Sequence, residues 1–436
     1  MDERRHAAML LSDAARATIA GDLTARALAE ANLARVVETD AGVEAWAHLD
    51  AVRVLARVEH HDALSADRRG LLHGVGIGVK DIIDTTEMPT EMGSPIYAGH
   101  HPQFDAECIT RLSRAGGYVF GKTVTTEFAY LHPGKTKNPW NARHTPGGSS
   151  SGSAATVAAG QVQGAIGTQT NGSVIRPAAF CGIVGFKPTK DAIPFAGVHV
   201  FSATLDQLGT FARDVAGAGL LASVLADPGR IAPDIAIAPR PPRLGWLAGF
   251  PWTGIDASAT DALDAAKARL REQGADIVGV DLPAVWQDAN AVHRTIMMRE
   301  GADALGELQR RERKRMSEKL NAALDEGSAI SRADYESALH RRNDAIAAFA
   351  QWVAGFDAVV APPATGTAPE GLESTGDPAC CTLWSLVGFP AITIPIACAG
   401  NGLPLGMQIA AAAGADDSLL GVAAWSEARL PFAGLP

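Results

Sequence analysis

The sequence is poor in three things, and each shortage excludes a class of function. It has no run of about 18 apolar residues free of charges and turn residues, so nothing in it reads as a membrane span. It has no basic excess. Its 38 Lys and Arg stand against 48 Asp and Glu, a formal net charge of −10. Broad, sequence-independent binding to nucleic acid or an anionic membrane needs a basic face, which this balance does not supply. Cysteine is scarce: Cys108, Cys181, Cys380, Cys381 and Cys398, an odd number with no CxxC pair. These read as reduced, mostly buried thiols and not as a disulfide framework. The vicinal Cys380–Cys381 pair leaves a redox role open. Met1-Asp2-Glu3-Arg4-Arg5-His6 leads into no apolar signal core. The expectation is a cytoplasmic protein without nucleic-acid or membrane partners.

What is present is an ordinary globular composition over 436 residues, 47% hydrophobic and 20% charged, which excludes disorder for most of the chain. The one excess is glycine, at 45 residues. Helical periodicity covers 7–36, with Asp22 or Thr24 suited to a helix N-cap, and then about 49–66. Residues 72–84 read as a buried strand ending at polar groups. A helix is predicted at 104–115, a strand at 118–121, a loop at 133–153, a small-residue helix at 153–159, and strands at 164–168 and 183–187. Strand 243–248, helix 258–273 and strand 275–282 follow. A long charged helical stretch covers 284–355, and strands return at 357–361, 391–397 and 405–411. This alternation predicts α/β layers. No internal repeat and no Pro/Ser-rich linker divides the chain, so 1–436 reads as a single domain. It comprises a helical N-terminal wrap (1–68), a core (70–215) and a helical excursion (284–355).

Three motif matches do not fit their structural context. Gly116–Thr123 satisfies GxxxxGK[ST], but a helix precedes it and Tyr118–Phe120 fills the would-be phosphate loop with strand-forming residues. Gly148–Gly152 satisfies GxSxG about Ser150, but a loop and not a strand precedes it. None of His199, His293 and His340 sits where a triad partner is expected. The adjacent pairs His60–His61 and His100–His101 cannot easily face one ion, and no HExxH accompanies them. No metal or cofactor is expected.

The informative stretch is Gly147-Gly148-Ser149-Ser150-Ser151-Gly152-Ser153-Ala154-Ala155, followed by Gly167-Thr168-Gln169-Thr170-Asn171-Gly172-Ser173-Val174-Ile175-Arg176-Pro177. Clustered Gly and Ser lets backbone N–H groups converge on an anion or a developing oxyanion. Ser173 follows an Asn-Gly turn that would present its hydroxyl there. A serine needs a base. Lys80, after a Gly-spaced apolar run, can serve if burial lowers its pKa. Taken alone, the same lysine could simply pair with Asp81 or Asp84.

These blocks, with VKDIIDT upstream, resemble the amidase signature family over about 70–215, and more weakly through 357–411. The resemblance implies an α/β fold with a mixed sheet covered by helices on both faces. It implies an acyl-enzyme mechanism without metal or cofactor. It also implies a Ser–cis-Ser–Lys triad: Ser173 as nucleophile, Ser149 as bridge after a cis Gly148–Ser149 peptide, and Lys80 as base. The N–H groups of Thr170, Asn171, Gly172 and Ser173 would form the oxyanion hole, with Thr168 orienting Ser149 beside the substrate. Where most members read GTDTGGSIR, this chain has Gln169, Asn171 and an arginine one position later. That arrangement, with KDIIDT, MPTEMGS and STGDP, is similar to the malonamidase subgroup. There Arg176 would anchor the free carboxylate of a small amide, its guanidinium matching the carboxylate bidentately; a structural ion pair is the alternative. The resemblance implies a homodimer by analogy. The amide-cleaving subunit of a glutamine-dependent amidotransferase, and carbamates, ureides or aryl amides as substrates, remain alternatives.

Overall fold

The computed structural model describes residues 2–432. The described strands form one mixed sheet: β1 (Trp46–His48), β2 (Gly76–Lys80), β3 (Tyr118–Thr123), β4 (Gly164–Gln169), β5 (Val184–Lys187), β6 (Gln207–Ala212), β7 (Arg243–Trp246), β8 (Asp276–Gly279), β9 (Ala358–Ala361), β10 (Ala391–Cys398) and β11 (Pro404–Ala410). Their order is β1-β3-β2-β4-β6-β5-β10-β11-β9-β7-β8. β2 runs parallel to both β3 and β4. The middle of the sheet, from β4 through β9, is antiparallel, and β9, β7 and β8 are parallel again.

Side chains alternate along each strand. Ile77, Val79, Ile166, Leu208, Ile392 and Ile409 therefore join one core, with Leu11, Leu112 and Leu221 from helices Leu11–Ala20, Glu107–Arg114 and Val215–Leu225. The opposite face offers Phe120, Ala165 and Phe211 to helices Ala25–Val43 and Ser151–Ala158. Farther along, it gives Val359, Ala391 and Ala410 to Trp286, Phe349 and Trp384. Helices thus cover both faces, as the α/β pattern implies. No helix among the described residues is long and apolar enough to cross a membrane.

The helix expected at 7–36 is two helices, Leu11–Ala20 and Ala25–Val43. Gly21 ends the first at φ +84°, a conformation that costs glycine little, and Thr24 caps the second by accepting from Ala27 N. The strand expected over 72–84 is confined to β2, because turns hold the residues on either side. The stretch 284–355 resolves into Ala289–Glu312, Glu318–Ala329 and Arg332–Val353. β6 was not anticipated; its Gln207 and Gly209 break the apolar run, and its burial comes from pairing between β4 and β5.

Candidate active site

The parallel pair β2–β4 ends at one edge of the sheet, so Lys80 and Thr168–Gln169 emerge together. Carboxyl ends of parallel strands are where open α/β sheets place ligands. Lys80 is fully buried. Its Nζ is hydrogen-bonded to Ser149 Oγ (2.7 Å) and Thr168 Oγ1 (2.7 Å). No carboxylate among the described residues reaches it at salt-bridge distance; Asp81 instead faces Lys122 on β3, at 3.2 Å. Burial pushes the Lys80 amine well below its ordinary value, against the smaller opposing pull of the Asp206 charge. The Gly148–Ser149 peptide is cis. Gly148 cannot be replaced easily, since an added Cβ would lie 2.6 Å from Thr375 Cγ2.

After β4 the chain makes a bare loop. Among the described residues, no N–H of Thr170, Asn171, Gly172 or Ser173 donates to a protein acceptor, whereas the next two N–H groups, of Val174 and Ile175, are taken by Gln169 Oε1 at 2.8 and 3.0 Å. Gln169 Nε2 donates to Ser385 Oγ at 3.0 Å, and Ser385 donates in turn to Asn171 O. Thr170 Oγ1 donates to Asp206 (2.5 Å), and His293 Nε2 lies 2.9 Å from Thr170 O. Asn171 Oδ1 accepts from Thr382 Oγ1 at 3.0 Å. The loop is held from both sides with its own donors left free.

A cavity of about 440 Å3 opens on this loop. Thr170 through Ser173, Arg176, Asn290, His293 and Ser374–Pro378 line it. The Ser173 hydroxyl makes no hydrogen bond to Ser149, whose Oγ is engaged by Lys80. Arg176 is buried. One nitrogen, Nη2, donates to Gly148 O (2.6 Å) and Thr375 Oγ1 (3.1 Å), while Nε and Nη1 have no partner among the described residues. No carboxylate pairs with it at salt-bridge distance among the described residues, so the structural ion pair open to Arg176 is not formed.

Thr168 departs from its expected place. It contacts the Lys80 amine and not Ser149, and it lies outside the cavity lining. Lys122, in the GxxxxGK match, is spent on Ile83 O, Pro89 O, Thr90 Oγ1 and Asp81. Ser150, centre of the GxSxG match, is buried and bonded to the backbone of Thr168. His48, Asp81 and Glu91 converge within 4.8 Å. The members of that group are already engaged, Asp81 paired with Lys122 at 3.2 Å and Glu91 lying 2.9 Å from His48 Nε2. Burial pushes Cys381 up to about 12 and raises Cys380 too, which leaves the vicinal pair few reactive thiolates. No sequence motif points to Asp206, Ser385, Asn290 or His293 at this site. They arrive from distant segments, and nothing local marks them.

The sequence profile described as Amidase matches residues 27–420. The chain is 33% identical over 456 aligned residues to a glutamyl-tRNA(Gln) amidotransferase subunit of Symbiobacterium thermophilum, covering 93% of each. A crystal structure of an amidase matches with a TM-score of 0.88 at 27% identity, covering 97% of this chain and 100% of that one. The native peptide amidase of Stenotrophomonas maltophilia matches with a TM-score of 0.81 at 26% identity, over 98% and 97% of the two chains. The free N–H row, the buried lysine and these likenesses agree: the chain belongs to the amidase signature family and is a hydrolase of amide carbon–nitrogen bonds.

Proposed function

We propose that the chain hydrolyses a small amide bearing a free carboxylate, of the malonamate kind, through Ser173, Ser149 and Lys80. Neutral Lys80 takes a proton from Ser149 as Ser149 takes one from Ser173, whose hydroxyl turns to Ser149 by rotation about χ1. A neutral amine can donate to Thr168 and accept from Ser149 at once, which suits the two contacts of Lys80. Ser173 Oγ attacks the carbonyl, and the N–H groups of Thr170 to Ser173 receive the negative charge on oxygen. The proton returns through Ser149 to the leaving nitrogen. The carbon–nitrogen bond breaks, and ammonia leaves an acyl-enzyme. Water, deprotonated by the same relay, releases the acid and restores Ser173.

The observation that carries the carboxylate preference is Arg176. A buried guanidinium with two unpartnered nitrogens costs free energy that an anion in the cavity would recover. The test is ammonia release over amides matched with and without a carboxylate. Ser173→Ala should abolish turnover. Arg176→Gln should raise KM at least tenfold for carboxylate substrates and little for neutral ones; an equal loss on both would remove the anchor. A second reading rests on the relatives that are named as amidotransferase components: this chain as the glutamine-cleaving part of such an enzyme. Glutaminase activity stimulated by ATP and a partner chain would favour it. The altered Gln169 and Asn171 and the later Arg176 weigh against it.

A further inference from the structure

We infer that the substrate carries, besides its carboxylate, an uncharged apolar group of aryl or branched-alkyl size, seated against Leu131, Met297 and the stacked Tyr130–Phe201 pair. The inference rests on the proposed hydrolysis of a carboxylate-bearing amide and names what else that amide holds. The cavity, about 440 Å3, falls within the ~300–1,000 Å3 that accommodates drug-sized ligands. Malonamate, with a single methylene between amide and carboxylate, would leave most of it to water.

The lining explains what fills the rest. Ala129, Tyr130, Leu131, Phe201 and Met297 line the same cavity as Ser173 and Arg176. Tyr130 and Phe201 stack at 5.2 Å with 11° between their planes. The tyrosine offers its ring and not its hydroxyl, because that hydroxyl is directed to Met298 Sδ, 3.7 Å away. Leu131 is 41% exposed. Single exposed leucines are common, but this one sits in a cavity beside an adaptable methionine. The wall is also fixed to the reacting centre. Asp206 accepts from Phe201 N (2.7 Å) with one oxygen and from Thr170 Oγ1 with the other. A group resting on Phe201 is therefore registered against the oxyanion loop.

A second anionic group is the less suitable occupant. The other cations in the lining are engaged: Arg294 with Glu326 through two nitrogens, and Lys319 with Glu373 O. Of the lining cations, Arg176 alone combines burial with unpartnered nitrogens.

The test compares malonamate, 2-isobutylmalonamate, 2-benzylmalonamate and the neutral 3-phenylpropionamide. In each, water replaces the amide nitrogen and ammonia is measured. The 2-benzyl compound should exceed malonamate at least tenfold in kcat/KM. Leu131→Ala and Met297→Gln, one exposed and one nearly isosteric, should each cut that ratio severalfold. Binding of the same two malonamates to Ser173→Ala, followed by calorimetry, reads the subsite without turnover and should show at least tenfold tighter Kd for the benzyl compound. Equal or weaker binding of 2-benzylmalonamate overturns the inference. Should 3-phenylpropionamide match 2-benzylmalonamate, the carboxylate reading fails while the apolar subsite stands.

Discussion

Lys80 and Lys122 lie on neighbouring strands, β2 and β3, where Val79 faces Lys122 and Lys80 faces Thr123. Both are fully buried. Lys122 spends its donors on Ile83 O, Pro89 O and Thr90 Oγ1 and lies 3.2 Å from the Asp81 carboxylate. Among the described residues, Lys80 hydrogen-bonds two hydroxyls and no carboxylate. The same burial therefore has two results. A lysine beside a carboxylate and three acceptors is a structural cation that ties β3 to the loop after β2. A lysine beside hydroxyls alone gains little by being charged, and its proton is easily lost. Depth makes a buried lysine unusual; the neighbours decide whether it can act as a base.

The largest expected effect separates the two outright. Lys80→Met should lower turnover by roughly 10^3-fold or more, within the range of losing a general base, without lowering the unfolding free energy, because it also removes the cost of burying the amine. Lys122→Met strands the Asp81 carboxylate and should cost roughly 3–5 kcal/mol of stability, with the folded fraction still turning over. Activity per folded molecule, corrected by urea titration, checks both. If Lys122→Met matched Lys80→Met in activity per folded molecule, the contrast would be broken.

A subtler change moves Lys80 toward the surroundings of Lys122. Thr168→Asp places a carboxylate where a hydroxyl now touches the amine. The added charge favours the ammonium form and raises the Lys80 pKa. Neutral Lys80 is the base, so kcat/KM should rise with pH as the amine loses its proton, and Thr168→Asp should shift that limb to higher pH. Near pH 7 the loss should be about 10^2-fold, with partial recovery toward pH 10. Thr168→Ala should lower activity without moving the limb. A pH profile that Thr168→Asp leaves in place would sink the assignment of Lys80 as base.

The contrast also marks how much could be read beforehand. The glycine- and serine-rich blocks around Ser149 and Ser173 are local, because a row of free N–H groups needs small residues and tight turns within a few positions; they were legible. Whether Asp81 pairs with Lys80 or Lys122 was not, since strand register decides it. Thr168 is expected to orient Ser149 directly, but its hydroxyl meets the Lys80 amine, which in turn contacts Ser149. The grip of Gln169 on Val174 and Ile175 is local, yet its other hand reaches Ser385, far along the chain. Two of the cavity walls come from 290–297 and 374–378, segments whose own patterns say helix and loop and nothing of what they face. β6 is made a strand by its neighbours.

A third buried lysine gives the smallest effect on turnover and a separate check on burial. Lys187, on β5, donates to Gln207 Oε1 (3.0 Å) and Phe389 O (2.5 Å), and burial pushes its amine down to about 7. It does not line the cavity, so Lys187→Met should change kcat/KM less than about twofold, the size of an ordinary remote substitution. The effect lies in stability. In the unfolded chain the amine holds its proton to ~10.4. Between about pH 7 and ~10.4 the unfolded state therefore binds more protons than the folded one, and stability attributable to this group rises with pH. Below about 7 both states are protonated and the full cost of burial is present, roughly 5 kcal/mol at ~1.4 kcal/mol per pK unit. Above ~10.4 that cost is gone. Lys187→Met removes the cost at every pH and also loses the hydrogen bonds, a penalty that does not vary with pH. Its stability relative to the parent should consequently decline as pH rises from 7 to 9.5, by a few kcal/mol in urea unfolding. A difference independent of pH would mean that Lys187 is charged in the fold at neutral pH, and that carbonyl partners alone can hold a buried ammonium as the Asp81 carboxylate holds Lys122.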